Sequence, residues 1–196
     1  IQSDAIVKLL GSFLEAGFDK TIAVKLVNSV MVMKSARDAF ATVDMCVIDL
    51  YTGEIEFIKN GAEASYIKHT EYTETVRAAS LPIGIVSIGD IETFARTLEN
   101  GSMVVMTSDG VISAAEDNWI RELVEVIDME IPPKELAQII LDEAVKRNAE
   151  NGIENDDMTV ICVKLSDRRV RAEQKHVPNC LLYTSTSPRD MRRSRM

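Results

Sequence analysis

Apolar residues near the start of the chain recur at the three- and four-residue spacing of an amphipathic helix. The first such stripe covers residues 5–14, and Gly17 follows it at a position that suits a left-handed helix cap. Asp19 then stands where its side chain can cap a second helix, whose apolar stripe runs from Ile22 to Val30. The pattern therefore predicts two consecutive helices.

After residue 40 the apolar positions change from helical spacing to the pattern of strands. The segment ATVDMCVIDL is rich in branched residues, Thr52-Gly53 is a turn signal, and EIEFIKN alternates apolar with polar residues. This arrangement predicts an antiparallel hairpin. Four further short strands are predicted at SYIK, ETVRA, MVVMTS and MTVICVKL.

Helical spacing returns in the second half of the chain. The segments DNWIRELVEVI and PPKELAQIILDEAVKRN both place apolar residues along one side, and a proline in the first turn suits the start of the second. Strands cluster in hairpins while helices flank them, so we predict an α+β fold with antiparallel sheets instead of a parallel βαβ architecture.

Composition places this pattern in one globular domain with a real core. The chain has 196 residues, 46% of them apolar and 27% charged. No apolar run reaches the roughly 18 to 20 residues of a membrane-spanning helix, and no signal peptide opens the sequence. We therefore expect a cytoplasmic segment that makes no membrane contact. Because the sequence opens on Ile1 instead of Met and enters an amphipathic helix at once, we also expect the domain to be truncated at its amino end.

The character of the sequence changes near Ser166. Residues 167–196 carry 8 basic and 3 acidic side chains, although the whole chain has a net charge of −9. This tail lacks interleaved aromatic residues and a helical stripe, so we do not expect it to bind nucleic acid. We predict a domain at residues 1–165 and a disordered, non-native basic tail at residues 166–196.

Carboxylates interrupt apolar segments at two places that are far apart in the chain. Asp109 follows the strand VVMTS, and Asp156 and Asp157 come directly before the last strand. A carboxylate beside a core is costly without a donor or a cation, and two adjacent carboxylates repel each other. Oxygen ligands suit Mg²⁺ or Mn²⁺, whereas the cysteines lack the spacing of a zinc site. The alternative is that both segments are ordinary solvated turns.

In its order of motifs the chain resembles the metal-dependent serine/threonine protein phosphatases of the PPM family. The matching segments are TSDG after an apolar strand and NDDMTVICV near the end of the domain. The helical pair LLGSFLEAGFDKTIAVKLVNSV, the hairpin and SLPIGI resemble more narrowly the phosphatase domains of the stage II sporulation protein E family. The likeness covers about residues 1–165.

This resemblance implies a two-layer antiparallel β-sandwich flanked by helices, with two Mn²⁺ or Mg²⁺ ions at one rim of the complete domain. Asp109 matches the carboxylate of the family's Ser-Asp-Gly motif, and Asp156 matches the first acid of its second motif. We therefore expect both to be catalytic and to bind metal through their carboxylates. Asp157 stands where the family often has Asn and ranks below Asp156 as a metal ligand. Thr159 is expected to brace the turn.

The resemblance also implies a function, with one departure. The family's Asp-Gly-x-Gly segment is absent from the sequence, so we expect weak or no activity from these residues alone. The implied enzyme hydrolyses phosphoserine on a regulatory protein, an anti-anti-sigma factor, through a metal-activated water, and so controls a sigma factor during sporulation. The full-length family member carries an amino-terminal membrane region, and a homodimer is also compatible with the resemblance.

Two other interpretations stay open. Haloacid-dehalogenase-like phosphatases also use aspartates at strand ends, but they need a paired Asp-x-Asp and a parallel sheet, and TSDGV lacks the second aspartate. A non-catalytic interaction domain would use the same acidic rim only to bind a basic partner.

Overall fold

The computed structural model describes residues 2–33, 40–86, 91–112, 118–154 and 156–166. The chain separates into two units, Ile1–Ser166 and Asp167–Met196, and the description below concerns the first. The tail predicted to be disordered and non-native lies outside the described residues, apart from Ser166.

Helices flank a run of consecutive strands in the first unit, as the apolar pattern predicts, with two additions. In chain order the described elements are α1 (Gln2–Glu15), α2 (Lys20–Met33), β1 (Val43–Ile48), β2 (Glu54–Asn60), β3 (Ser65–Lys68), β4 (Thr73–Val76), β5 (Thr93–Thr97), β6 (Met103–Thr107), α3 (Asp109–Ile112), α4 (Asn118–Val126), α5 (Pro133–Asn151) and β7 (Val160–Lys164).

The junction between α1 and α2 forms through the two residues that the sequence singles out. Gly17 has a φ of 87°, a left-handed conformation that is easy only for a residue without a Cβ. The backbone N–H of Thr21 donates to Asp19 Oδ1 over 2.9 Å, which satisfies one of the free donors at the start of α2. The predicted helical pair is confirmed.

The strands form two antiparallel sheets. One has the order β1-β2-β5 and the other the order β4-β3-β6-β7. Every described strand pair is antiparallel, which confirms the predicted α+β class and the sandwich of two sheets. The haloacid-dehalogenase-like alternative needs a parallel sheet, so this fold rejects it.

Among the described residues, three apolar clusters hold the sheets and helices together in layers. The cluster between the sheets contains Phe57 and Val104. A second cluster packs α2 on the outer face of the three-stranded sheet through Val24 and Ile58. The third packs α4 and α5 on the outer face of the four-stranded sheet and includes Ile140. The domain is therefore a β-sandwich with helices on both outer faces.

Two elements were not predicted. Strand β5 is an edge strand whose only large apolar residue is Phe94, so its sequence carries little of the alternation that identifies a strand. Helix α3 is a single turn of four residues, too short for periodicity, and it begins at Asp109, where the sequence predicts only a turn.

Within the described part of the chain, no helix combines the length and the apolar character that crossing a membrane requires.

The packing of α5 gives a test of the core. Ile140 is fully buried, whereas Val145 on the same helix is 46% exposed. Replacing Ile140 with Ala should lower the free energy of unfolding by about 2–5 kcal/mol, because the transfer energy and contacts of the side chain are lost. Val145→Ala should change it by about 0.5 kcal/mol or less. Urea denaturation of the two variants checks this, and equal effects would show that α5 does not pack as described.

Candidate functional site

The candidate site lies where β6 ends and β7 begins. Thr107 is opposite Val160 in this antiparallel pair, so the end of one strand and the start of the other share one edge of the sheet. The Ser108 N–H donates to the Thr159 carbonyl over 3.0 Å. The Thr159 N–H donates to Ser108 Oγ over 2.9 Å. These bonds join the segment that carries Asp109 to the segment that precedes β7.

Gly110 allows the two acidic segments to approach each other closely. A Cβ at this position would lie 2.4 Å from the Asp157 carbonyl oxygen and 3.6 Å from the Asp156 carbonyl carbon. Each carboxylate is oriented by a neighbouring amide: Gly110 N–H donates to Asp109 Oδ1 over 3.0 Å, and Asp157 N–H donates to Asp156 Oδ1 over 2.7 Å. A side chain at residue 110 would therefore force the segments apart.

Asp109 and Asp156 line the same cavity. This acidic cavity has a volume of about 300 Å³, and its lining residues are Glu63, Asp109, Gly110, Ile112 and Asp156. Asp157 is not among them, and its backbone contacts the site through the carbonyl and through the N–H that donates to Asp156. Of the expected ligands the structure thus places Asp109 and Asp156 at one cavity and leaves Asp157 outside its lining.

A second, adjoining cavity of about 180 Å³ shares Glu63 and Asp109 with the acidic cavity. Thr107 also lines it, is only 6% exposed, and its Oγ1 has no hydrogen-bond partner among the described residues. A buried hydroxyl without a partner is unusual in a folded protein and is the kind of group that a bound water or ion satisfies. The further lining residues of the adjoining cavity are Thr42, Asp44, Gly61, Ala62, Met106, Ser108, Thr159 and Ile161.

The oxygen atoms of the residues that line these cavities are of the chemical type that binds a hard divalent cation. Carboxylate and hydroxyl oxygens are the ligands of Mg²⁺ and Mn²⁺, and Mg²⁺ also keeps several waters. The set is incomplete in number, because among the described residues no group of three or more His, Cys, Asp and Glu side chains is arranged to hold a metal ion. Asp109 and Asp156 alone would therefore supply only part of the ligands that such an ion needs.

Three residues that line the cavities, Asp44, Glu63 and Thr107, were not predicted from the sequence, nor was Lys59, which pairs with Asp44 behind the cavity wall. The burial of Lys59 could have been inferred from the sequence. Side chains alternate along a strand, so Lys59 lies on the same face of β2 as Ile55 and Phe57, which pack between the sheets. A lysine at that position of an alternating strand needs a buried partner. The position of Glu63 depends on how the two sheets pack, which no local pattern shows.

The partner of Lys59 is the partly buried Asp44, directly opposite it on β1. Lys59 Nζ lies 2.7 Å from Asp44 Oδ1 and 2.7 Å from Ser65 Oγ. Burial raises the pKa of the Asp44 carboxyl, and burial likewise lowers the pKa of the Lys59 amine, while the bond between the two groups opposes both shifts. Asp44 lines the adjoining cavity, so this ion pair forms part of the cavity wall.

In sequence and in fold, the chain is similar to proteins of a phosphatase family. The family model described as "Stage II sporulation protein E (SpoIIE)" matches residues 3–166. Stage II sporulation protein E of Bacillus subtilis (strain 168) is 31% identical over 169 residues, which cover 84% of this chain and 20% of that protein. The protein of the same name from Priestia megaterium is 28% identical, with coverage of 84% and 28%. The chain therefore spans only about a quarter of these relatives.

Solved structures agree with the fold. The PP2C phosphatase domain and regulatory fragment of SpoIIE from Bacillus subtilis superposes with a TM-score of 0.72 at 31% identity, covering 83% of this chain and 49% of that one. The Mn-presoaked phosphatase domain of the same protein superposes with a TM-score of 0.60 at 29% identity, covering 89% of this chain and 78% of that one. The RsbU and RsbW domains of a Mycobacterium tuberculosis protein give 0.69 at 17% identity, with coverage of 84% and 47%, and support the fold alone.

The close approach at Gly110 gives a test of the site's framework. Gly110→Ala should lower the free energy of unfolding by about 1–3 kcal/mol, because the added Cβ meets the Asp157 carbonyl. Gly11→Ala is the matched control: its Cβ would meet nothing within 4 Å, and in helix α1 it should raise stability by about 0.5–1 kcal/mol. Thermal unfolding of both variants shows whether the first loses stability and the second gains it. A neutral Gly110→Ala would mean that the acidic segments are not packed together.

Proposed function

Because the chain belongs to the stage II sporulation protein E family, a family of PP2C-type phosphatases, we propose that it is the phosphatase part of a metal-dependent enzyme that hydrolyses phosphoserine on a regulatory protein. The observation that carries the proposal is the meeting of Asp109 and Asp156 at one cavity, although 46 residues separate them in the sequence.

In this proposal Asp109 and Asp156 hold the metal through their carboxylates, and Asp157 contributes less because it does not line the acidic cavity. Bound Mn²⁺ or Mg²⁺ ions would supply Lewis-acid stabilisation of the phosphoryl oxygens and a hydrolytic water of lowered pKa. Catalysis then needs no covalent intermediate on the protein.

The chain's own residues fix the positions of those carboxylates. The Ser108 and Thr159 bonds hold the end of β6 to the start of β7, and Gly110 sets the distance between the acidic segments. Without a cation, the carboxylates at the cavity would repel both one another and a phosphoryl dianion. The arrangement therefore favours an activity that depends strictly on divalent metal.

The finer features of the proposal rest on the family. We infer that the substrate is a phosphorylated anti-anti-sigma factor-like protein, that the activity serves sigma-factor regulation in the cytoplasm, and that the whole protein is membrane-anchored and able to form a homodimer. The absence of an Asp-Gly-x-Gly segment from the sequence supports weak activity of this chain alone.

Hydrolysis of a phosphoserine peptide at increasing Mn²⁺ tests the proposal. The assay uses this chain and a version extended at its amino end by the corresponding segment of the Bacillus subtilis relative. We expect weak turnover from the former and at least about a hundredfold more from the latter, since the added segment completes the metal ligands. Asp109→Asn or Asp156→Asn should reduce the activity of the extended version by about 10²-fold or more, because a neutral amide binds the metal poorly.

Asp128→Asn is the matched control. Asp128 is an exposed aspartate whose Oδ1 also accepts a hydrogen bond from a nearby amide, that of Glu130, but it lies outside both cavities. It should leave turnover unchanged. An extended version that hydrolyses nothing at any metal concentration would refute the phosphatase and favour the interaction domain with an acidic rim. Full activity in both Asn variants would refute the assigned ligands.

A further inference from the structure

We infer that Lys59 is a positioning residue of the candidate site: with Asp44 and Ser65 it clamps the loop of residues 61–64 and so holds Glu63 against the cavities that contain Asp109. The inference deepens the proposed function, on which its catalytic meaning rests, but the structural part of it stands on its own geometry.

The loop of residues 61–64 joins β2 of one sheet to β3 of the other. Lys59 lies near the end of β2, and Ser65 begins β3. The bond of 2.7 Å from Lys59 Nζ to Ser65 Oγ therefore crosses the base of this loop. Asp44 on β1 accepts from Lys59 over 2.7 Å and from Ser65 over 3.3 Å, so three strands meet at one amine.

The side of the loop away from the clamp is held by the segment around residue 80. Ser80 Oγ donates to the Lys59 carbonyl over 2.6 Å, and Gly61 N–H donates to the Ser80 carbonyl over 3.0 Å. Gly61 also lies so close to Pro82 that a Cβ there would be 2.5 Å from Pro82 Cγ. The backbone on which Glu63 stands is thus fixed from both sides.

The position of Glu63 matters because this residue lines both cavities together with Asp109. Two carboxylates at one cavity repel each other, so an unconstrained loop would move Glu63 away from Asp109. The Lys59 side chain is fully buried, and its ammonium attracts Glu63 as well as Asp44. A buried ion pair is a weak source of stability compared with apolar packing, whereas it fixes geometry, which fits a role in positioning.

Amide hydrogen exchange and thermal unfolding of variants of this chain test the inference without depending on catalysis. Lys59→Met leaves the partly buried Asp44 without its counter-charge and should lower Tm by about 10 °C. The double variant Asp44→Asn with Lys59→Met removes both charges and should recover at least half of that loss. In the double variant the amides of residues 61–64 should still exchange at least ten times faster than in the wild type, while those of β6 stay unchanged.

One further variant tests the clamp, and another serves as its control. Ser65→Ala removes only the hydroxyl at the base of the loop and should accelerate the same amides at least threefold with little change in Tm. Lys20→Met is the matched control: it breaks a pair of 2.7 Å between Lys20 and Glu56, another β2 residue, away from the candidate cavities, and should leave loop exchange unchanged.

The outcomes separate this inference from the proposed function. Faster exchange confined to residues 61–64 in the double variant and in Ser65→Ala supports the clamp, even if no variant hydrolyses a phosphopeptide. Wild-type exchange in the loop, or equal acceleration of all amides, would overturn it and leave Lys59 as part of the core alone. If the extended enzyme is active, the double variant should also lose at least about tenfold in kcat/KM.

Discussion

The antiparallel pairing of β6 with β7 is the constraint on which the candidate site depends. The pair brings the residue after one strand beside the residues before the other, although a long helical stretch separates them in the sequence. Ser108 contributes its amide and its hydroxyl to the junction, so the register of the pair is continued into the turn. Asp109 and Asp156 face one cavity as a direct consequence. A shift of the register by one residue would exchange the faces of β7 and separate them.

Several carboxylates line the two cavities, and the buried ammonium of Lys59 lies behind their wall. Asp109 and Asp156 come from the β6–β7 edge, Glu63 from the loop between the sheets, and Asp44 from β1. Lys59 neutralises part of this charge from behind the wall and joins strands of both sheets. The excess of negative charge is the physical reason to expect a divalent ion there, since like charges at short distance are costly unless a cation lies between them.

Much of the fold could be predicted from the sequence because the local preferences of the residues agree with the tertiary structure. Gly17 and Asp19 act through backbone conformation and helix capping, which depend on neighbouring residues alone. The predicted hairpin of β1 and β2 likewise depends on a local turn and on the alternation of nearby residues. The sequence also justified the expectation that Asp109 and Asp156 meet, because both flank apolar strands. Strand β5 could not be predicted, since an edge strand needs little apolar alternation. Glu63 could not be predicted because its place depends on the packing of the two sheets.

Paramagnetic broadening by Mn²⁺ in the amide NMR spectrum of the chain tests the central claim most directly, since it detects even weak binding. The account predicts that the amides of residues 108–112 and 156–159 broaden together at the same low Mn²⁺ concentration, and that excess Mg²⁺ reverses the effect. Broadening of only one of these segments, or stronger broadening elsewhere, would contradict the proposal that the β6–β7 edge forms a single metal-binding site.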